Sequence, residues 1–342
     1  MHNREIRYYQ CIQKVLLLFM LNILSITTPI YLIILIGYLL TRIGLFAKTD
    51  MRVLGKFVIN LALPALLFRA LSQRQISEIF NLHYLLAYGL GSWAAVGLGY
   101  WWTRRISDRS SSTSIFHAMG VSCSNSGFIG YPILLLTLAP VAGVALALNM
   151  VVENLLVIPF LLFLMEQDRG GSDPWKACGQ ALSRLARNPL IIGMLTGISV
   201  SLFDIHIPPP ITHTIDMLAN ASSALSLIVI GGILVGLPMR GTGAQVIPIV
   251  IGKLIMHPLL VFLMLLLLPI LGFTPMEPSL RMAAVLLAAM PMMSIYPTLA
   301  QAYGKEDFSA VALLMTTASS FFTLSGLLWI MHNFVPSLFS TP

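Results

Sequence analysis

One stretch of this chain gathers polar side chains where nearly everything around it is apolar: Ser122-Cys-Ser-Asn-Ser-Gly-Phe-Ile-Gly-Tyr-Pro132. Ser122, Ser124, Asn125 and Ser126 offer hydroxyl and amide groups that both donate and accept hydrogen bonds. Gly127 and Gly130 let another backbone or a ligand come close. Pro132 removes a backbone donor and crowds the preceding turn, leaving carbonyls that need partners inside the protein. The chemistry on offer is reversible binding: side-chain hydrogen bonds together with the partial charges of interrupted helix ends. The alternative is a kinked helix packed tightly through its small residues. A second interruption, poorer in polar groups, is expected where Pro291 and Pro297 bracket Ser294 and Tyr296.

Isolated ionisable residues stand in other apolar runs. Glu153, followed by Asn154, lies between Val152 and Leu155. A carboxylate there is costly unless it is paired, protonated or in a water-filled cavity, so it is a proton-coupling group, an anchor for a partner helix, or a residue at the membrane interface. Lys253 could compensate a bound anion, snorkelling being the plain alternative. His257 and His117 read as helix-to-helix hydrogen bonders or as partners for these charges.

The elements that must position these residues are membrane helices. Of 342 residues 57% are hydrophobic and 10% charged, with a mean hydropathy of +0.86, against about 25% charged in an ordinary soluble domain. Spanning runs are expected near 22–41, 53–71, 82–103, 115–136, 141–165, 188–204, 212–237, 246–271, 281–300 and 309–332, each close to the length that crosses the hydrocarbon as a helix. The alternating segments of a transmembrane barrel are absent. The expected fold is therefore all-α and polytopic, with ten transmembrane helices.

Charge orients them. Arg42, Lys48, Arg52 and Lys56, then Arg104, Arg105 and Arg109, then Arg169, Lys176, Arg184 and Arg187, then Arg240 and Lys305 fall on one side, while the other carries little beyond Arg69, Arg74 and Arg281. The positive-inside rule puts the first set in the cytoplasm and both termini outside, in a multi-pass protein of the cell (inner) membrane surrounded by lipid. The formal charge of +7 is then a topology signal, and no concentrated basic face for nucleic acid is seen. Residues 1–21 carry Arg4, Arg7 and Lys14 without a small-residue cleavage site, and read as an amino-terminal extension or as the product of a start upstream of Met20. Cys11, Cys123 and Cys178 are scattered over the tail, a span and a loop, so neither a disulfide framework nor a metal site is expected. No nucleophile elbow, zinc-protease or phosphate-loop motif occurs, so neither an enzyme nor a cofactor is expected.

The chain repeats itself faintly. Pro29 and Gly37 recur as Pro189 and Gly197, an offset of 160 residues, and Phe128-Ile-Gly-Tyr-Pro132 is echoed by Met293-Ser-Ile-Tyr-Pro297, an offset of 165. Five spans per copy make the second copy enter the membrane from the opposite side, an arrangement found in transporters whose site lies near the midplane. The division expected is an extension 1–21, a first repeat 22–165, a cytoplasmic linker 166–187, a second repeat 188–332 and a tail 333–342.

Ile26-Thr-Thr-Pro-Ile-Tyr31, Gly37-Tyr-Leu-Leu-Thr-Arg-Ile-Gly-Leu-Phe46, Asn60-Leu-Ala-Leu-Pro-Ala-Leu-Leu-Phe68, Asn125-Ser-Gly-Phe-Ile-Gly-Tyr-Pro132, Lys253-Leu-Ile-Met-His-Pro258, Ala289-Met-Pro291 and Tyr303-Gly304 together resemble the prokaryotic branch of the auxin efflux carrier family, which includes proteins named as malonate and other organic-anion transporters. The resemblance implies two inverted five-helix repeats with crossed, broken fourth and ninth helices, a homodimer, and transport of a small organic anion such as a carboxylate. It also places Asn125 in the family's substrate-site motif. Ser294 and Tyr296 stand where a second Asn would be sought, which argues against auxin itself. The candidate substrate-binding residues are thus Ser122, Ser124, Asn125, Ser126, Gly127, Ser294, Tyr296 and Lys253, with helix breaks at Gly130, Pro132, Pro291 and Pro297 and Glu153 as the coupling residue for a proton or sodium ion. An uncoupled uniporter or channel of the same architecture, or a membrane receptor, are the competing readings.

Overall fold

A computed structural model describes residues 27–74, 81–168, 186–236, 243–274, 276–301 and 305–334, together with Ser183. The extension 1–21 lies outside these residues, as do most of the linker 166–187 and of the tail 333–342, and Cys11 and Cys178 with them. The described residues form helices: α1 (Thr27–Arg42), α2 (Lys48–Ser72), α3 (Leu82–Trp101, continued through Ile106), α4 (Ser111–Ser122), α5 (Ser126–Thr137), α6 (Ala139–Met165), α7 (Pro189–Leu202), α8 (Pro209–Ile233), α9 (Gln245–Ile270), α10 (Pro278–Ala288), α11 (Tyr296–Gln301) and α12 (Glu306–Phe334). Among them α2, α6, α8, α9 and α12 are individually long and apolar enough to cross a bilayer.

The distribution of side chains is that of a protein whose solvent on the outside is lipid. Along α9 the outward face carries Ile251, Ile255, Leu259, Phe262, Leu263 and Leu266, all exposed, while Lys253 and His257 are completely buried on the inward face. An aqueous helix would turn the other way. Apolar side chains cost nothing against lipid tails, whereas polar ones must find partners inside the bundle. The chain is accordingly an all-α, multi-pass membrane protein.

Prolines shape the helices from within. Four wide π-helical turns, Val58–Ala62, Ser126–Gly130, Val152–Val157 and Gly252–Met256, each end two residues before a proline: Pro64, Pro132, Pro159 and Pro258. A proline cannot bond the carbonyl four residues back, and its ring crowds that carbonyl. Widening the turn by one residue relieves the crowding and keeps the helix running. The carbonyl freed by Pro132 is that of Phe128, and the Ser226 hydroxyl of α8 donates to it at 2.9 Å.

Two close helix approaches depend on glycine. A Cβ on Gly37 of α1 would overlap the Ile228 carbonyl of α8, and one on Gly197 of α7 would stand 2.8 Å from the Phe68 carbonyl of α2. In both places the helix backbones touch without side chains between them, the packing that lipid-embedded helices use in place of a hydrophobic driving force.

Candidate functional site

The polar stretch 122–132 does interrupt its helix, but not at Gly130 and Pro132, where the sequence suggested. The break is upstream, at Cys123–Asn125, between α4 and α5. Gly130 and Pro132 instead lie within α5, Pro132 in a first helical turn after the wide turn. Proline is accommodated there because the wide turn relieves its crowding of the Phe128 carbonyl, which Ser226 bonds instead. In the second half, Ala289–Ile295 separates α10 from α11, with Pro291 in the break and Pro297 in the first turn of α11.

The two breaks meet. Ser124 and Met292 form an antiparallel bridge; the Asn125 N–H donates to the Pro291 carbonyl at 2.8 Å, and the Met293 N–H donates to the Cys123 carbonyl at 3.2 Å. Non-helical backbone inside a membrane must be satisfied by protein, and here each interrupted helix satisfies the other. Asn125's own carbonyl accepts the N–H groups of Ile129 and Gly130 at 3.1 and 3.0 Å, which starts the wide turn of α5.

Charged side chains from two other helices converge on this crossing. From α6, Glu153 Oε1 accepts the Ser124 N–H and the Tyr88 hydroxyl of α3, each at 2.9 Å. From α9, Lys253 Nζ donates to the Ser124 hydroxyl at 2.8 Å, to His257 Nδ1 at 2.9 Å and to the Ala288 carbonyl at 2.5 Å. With Nδ1 accepting, His257 Nε2 carries the ring proton and donates to Ser92 of α3 at 3.0 Å. All three donors of an ammonium are thus occupied, one of them at the carboxyl-terminal carbonyl of α10, where a positive charge opposes the negative end of the helix dipole. Ser124 is the joint of the site, its N–H toward Glu153 and its hydroxyl toward Lys253. Both ionisable residues sit in π-helical turns, Glu153 in Val152–Val157 and Lys253 in Gly252–Met256. Among the described residues Lys253 is the only buried lysine or arginine, and Glu153 the only buried carboxylic acid.

A second polar pair borders the first. Asn149, one helical turn before Glu153 on α6, donates from Nδ2 to Ser126 Oγ at 2.5 Å. Its Oδ1 has no partner, nor has Nδ2 of Asn125, although Asn149 and Asn125 are 0% and 3% exposed. A buried amide left without a partner costs on the order of 1–3 kcal/mol, so two of them beside one crossing need a functional explanation.

The structure therefore joins Lys253 and Glu153 through Ser124, and Asn125 and Ser126 follow Ser124 in the chain. It separates others. Ser122 spends its hydroxyl on the Ala118 carbonyl one turn back, at 2.8 Å. Tyr296 donates to the Phe116 carbonyl at 2.9 Å and packs its ring edge on Phe116, which fastens α11 to α4 away from the ionisable pair. Ser294 is half-buried and takes no part in the network just described. Gly127 and Gly130 admit neighbouring side chains, with Leu63 Cδ1 3.0 Å from a Cβ at Gly127 and Leu287 Cδ2 2.7 Å from one at Gly130. Tyr88, Ser92 and Asn149 belong to the site and were not singled out by sequence. Asn149 alone left a signal, as an amide four residues from Glu153 in an apolar run.

Comparison with known proteins agrees with this architecture. A family described as "Membrane transport protein" matches residues 23–330. A protein of Rhizobium meliloti named "Putative malonate transporter" is 28% identical over 323 residues, covering 92% of this chain and 97% of the relative. "Uncharacterized transporter YfdV" of Escherichia coli K12 is 24% identical over 210 residues, covering 59% of this chain and 66% of the relative. An "Uncharacterized transporter" of Methanothermobacter thermautotrophicus is 30% identical over 105 residues, covering 30% of this chain and 34% of the relative. With a match from end to end of its helical core, the chain belongs to the membrane transport protein family of the auxin efflux carriers, and its work is transport rather than catalysis.

Proposed function

We propose that this chain is a secondary transporter of a small carboxylate, of about the size of malonate, bound at the crossing of the two broken helices and carried together with a proton. The observation that carries the reading is the buried, unpartnered amide of Asn125 next to one buried lysine and one buried glutamate. A single ammonium in a low-dielectric interior is balanced by a single negative charge. In the empty site that charge is on Glu153. When a carboxylate arrives and hydrogen-bonds to Asn125, Glu153 takes a proton and the ligand becomes the counter-charge of Lys253. A proton fits the coupling role better than sodium because the two groups bonded to Glu153 Oε1, the Tyr88 hydroxyl and the Ser124 N–H, point donors at it.

The same proposal includes ten spans in two inverted repeats. The internal contacts support it: Gly37 against Ile228 becomes Gly197 against Phe68 when each residue is moved by the repeat offset of 160 in opposite senses. Ser92 and His257, which bond each other, are 165 residues apart, as are Tyr88 and Lys253, which both bond Ser124. Contacts of this kind are expected about a two-fold axis in the membrane plane. Orientation follows from the charge rule, with the 166–186 linker in the cytoplasm and the 205–211 loop, which lacks Lys and Arg, outside. A periplasm-dependent reporter should therefore be silent after Gly171 and active after Pro209, and the reverse result would overturn the orientation.

Flux in proteoliposomes tests the function. Labelled malonate should accumulate against its gradient when a proton gradient is imposed. Equilibration without accumulation would favour a uniporter, and binding without flux a receptor. Asn125→Ala should weaken malonate binding by about 1–3 kcal/mol, roughly five- to 150-fold. Unchanged affinity and flux in the inserted variant would remove Asn125 from the site.

A further inference from the structure

We infer that the crossing takes a short dicarboxylic acid in its singly ionised form, one end a carboxylate and the other a protonated acid, and does not take the dianion. The inference rests on the transport reading above and goes past it to the ionic form of the ligand.

Charge is the first argument. Among the described residues Lys253 is the only buried lysine or arginine, and its three N–H groups already meet Ser124, His257 and the Ala288 carbonyl. Arg69, near the carboxyl end of α2, is held by Asn220 at 2.8 Å and Asp216 at 3.5 Å. One negative charge can be balanced at the crossing. A second would be buried without a counter-charge, which a low-dielectric interior resists strongly.

Hydrogen bonding is the second argument, and it is independent of charge. On the residues Asn125, Ser126 and Asn149 beside the crossing, the buried polar atoms without partners are one donor, Asn125 Nδ2, and one acceptor, Asn149 Oδ1. They flank Ser126, which follows Asn125 in the chain and whose hydroxyl accepts from Asn149 Nδ2. A carboxylate has acceptors only and could satisfy Asn125 but not Asn149. A carboxylic acid group supplies an O–H for Asn149 Oδ1. A short ligand bearing both groups would satisfy both amides with a net charge of one.

The buried ionisable groups in and around the crossing are Glu153 on α6, Tyr84 and Tyr88 on α3, Lys253 and His257 on α9 and Cys123 in the break, with Tyr296 on α11 turned toward Phe116. Any of them could lend its own pH dependence to binding, so the test compares ligands on the same protein. Three probes are titrated into the full-length wild-type protein in lipid nanodiscs between about pH 5 and pH 8, the window in which malonate loses its second proton. Malonate changes from one charge to two. Its monoamide, malonamate, keeps one charge with a donor at the far end. Sulfoacetate keeps two charges. The ratio of malonate to malonamate affinity should fall about tenfold per pH unit above malonate's second ionisation, and sulfoacetate should bind far more weakly than malonamate throughout. A ratio that stays constant with pH, or sulfoacetate binding as tightly as malonamate, would overturn the inference and leave the transport reading intact. If none of the three binds, the short-carboxylate reading fails and takes the inference with it. As a check on the acceptor, Asn149→Leu should weaken malonamate more than it weakens acetate; equal losses would remove Asn149 from the site.

Discussion

Replacing Lys253 by methionine should destabilise the protein by about 3–5 kcal/mol, the cost of leaving one member of a buried ion network without its partner, and adding Glu153→Gln to the same chain should recover most of that loss. Methionine matches the length and apolar stem of lysine, so packing is nearly preserved and the change isolates the charge. Lys253 is fully buried and Glu153 is 3% exposed, so water cannot screen what remains. Three acceptors also lose their donor, Ser124 Oγ, His257 Nδ1 and the Ala288 carbonyl. The double variant removes both charges, and replacement of a buried ionic pair by neutral groups of similar size is often close to neutral for stability. Thermal unfolding in a single detergent, followed for the parent, both single variants and the double variant, gives the coupling between the sites. Additive effects of the two substitutions would mean that the residues do not balance one another, and the proposed exchange of counter-charge would lose its basis.

Much of this arrangement was legible in the chain itself. The all-α, multi-pass character was legible because a run of about 20 apolar residues has few alternatives, and five of the described helices are individually long and apolar enough to cross a bilayer. The interruption near residue 124 was legible because Ser122, Ser124, Asn125 and Ser126 have no place on a lipid-facing surface. The break lies several residues upstream of where proline and glycine would put it: Pro132 is absorbed by a wide turn, while the break is held by hydrogen bonds to residues 165 or more positions away. Glu153 and Lys253 stood out because charge inside a membrane is expensive. Their meeting at Ser124 did not, since pairing across helices is a tertiary event with no local sequence mark. Tyr88 looked like any other aromatic of a span. Ser294 and Tyr296 were weighted by their echo of the first repeat, but what the two breaks share is backbone geometry, and Tyr296 uses its hydroxyl to fasten α11 to α4.

The wide turns provide a sequence rule. In four places a π-helical turn ends two residues before a proline, and two of those turns carry the buried ionisable residues. Such a turn displaces a side chain from the regular helical register and is frequent at functional sites. An ionisable residue five or six positions before a proline inside a long apolar helix, as in Glu153 before Pro159 and Lys253 before Pro258, therefore marks a residue aimed into the bundle rather than one that snorkels.

Glu153→Gln should convert electroneutral transport into transport that moves charge. The glutamine is nearly isosteric, and its Oε1 can still accept from the Tyr88 hydroxyl and the Ser124 N–H. The empty variant should be less stable because Lys253 has lost its counter-charge, and a bound anion should restore it, so the loaded crossing should remain assembled. What it cannot do is take up a proton as the ligand arrives. On the proposed mechanism one singly charged anion and one proton cross together in the parent, and the membrane potential has no net charge to act on. In the variant the anion crosses alone, and an inside-negative potential of about 100 mV opposes it by roughly 2.3 kcal/mol, about a fifty-fold loss of accumulation inside the vesicle. Malonamate is the appropriate cargo because its charge is fixed, so that any response to acid belongs to the protein. Proteoliposomes in which the proton gradient and the potential are set separately should show acid-driven accumulation in the parent with little effect of potential. The Gln variant should have lost the first and gained the second, while retaining exchange of labelled for unlabelled malonamate, which needs no net proton movement. A variant that kept the parent's acid stimulation and its indifference to potential would make Glu153 a structural partner of Tyr88 and Ser124, and the coupling proton would have to be carried elsewhere.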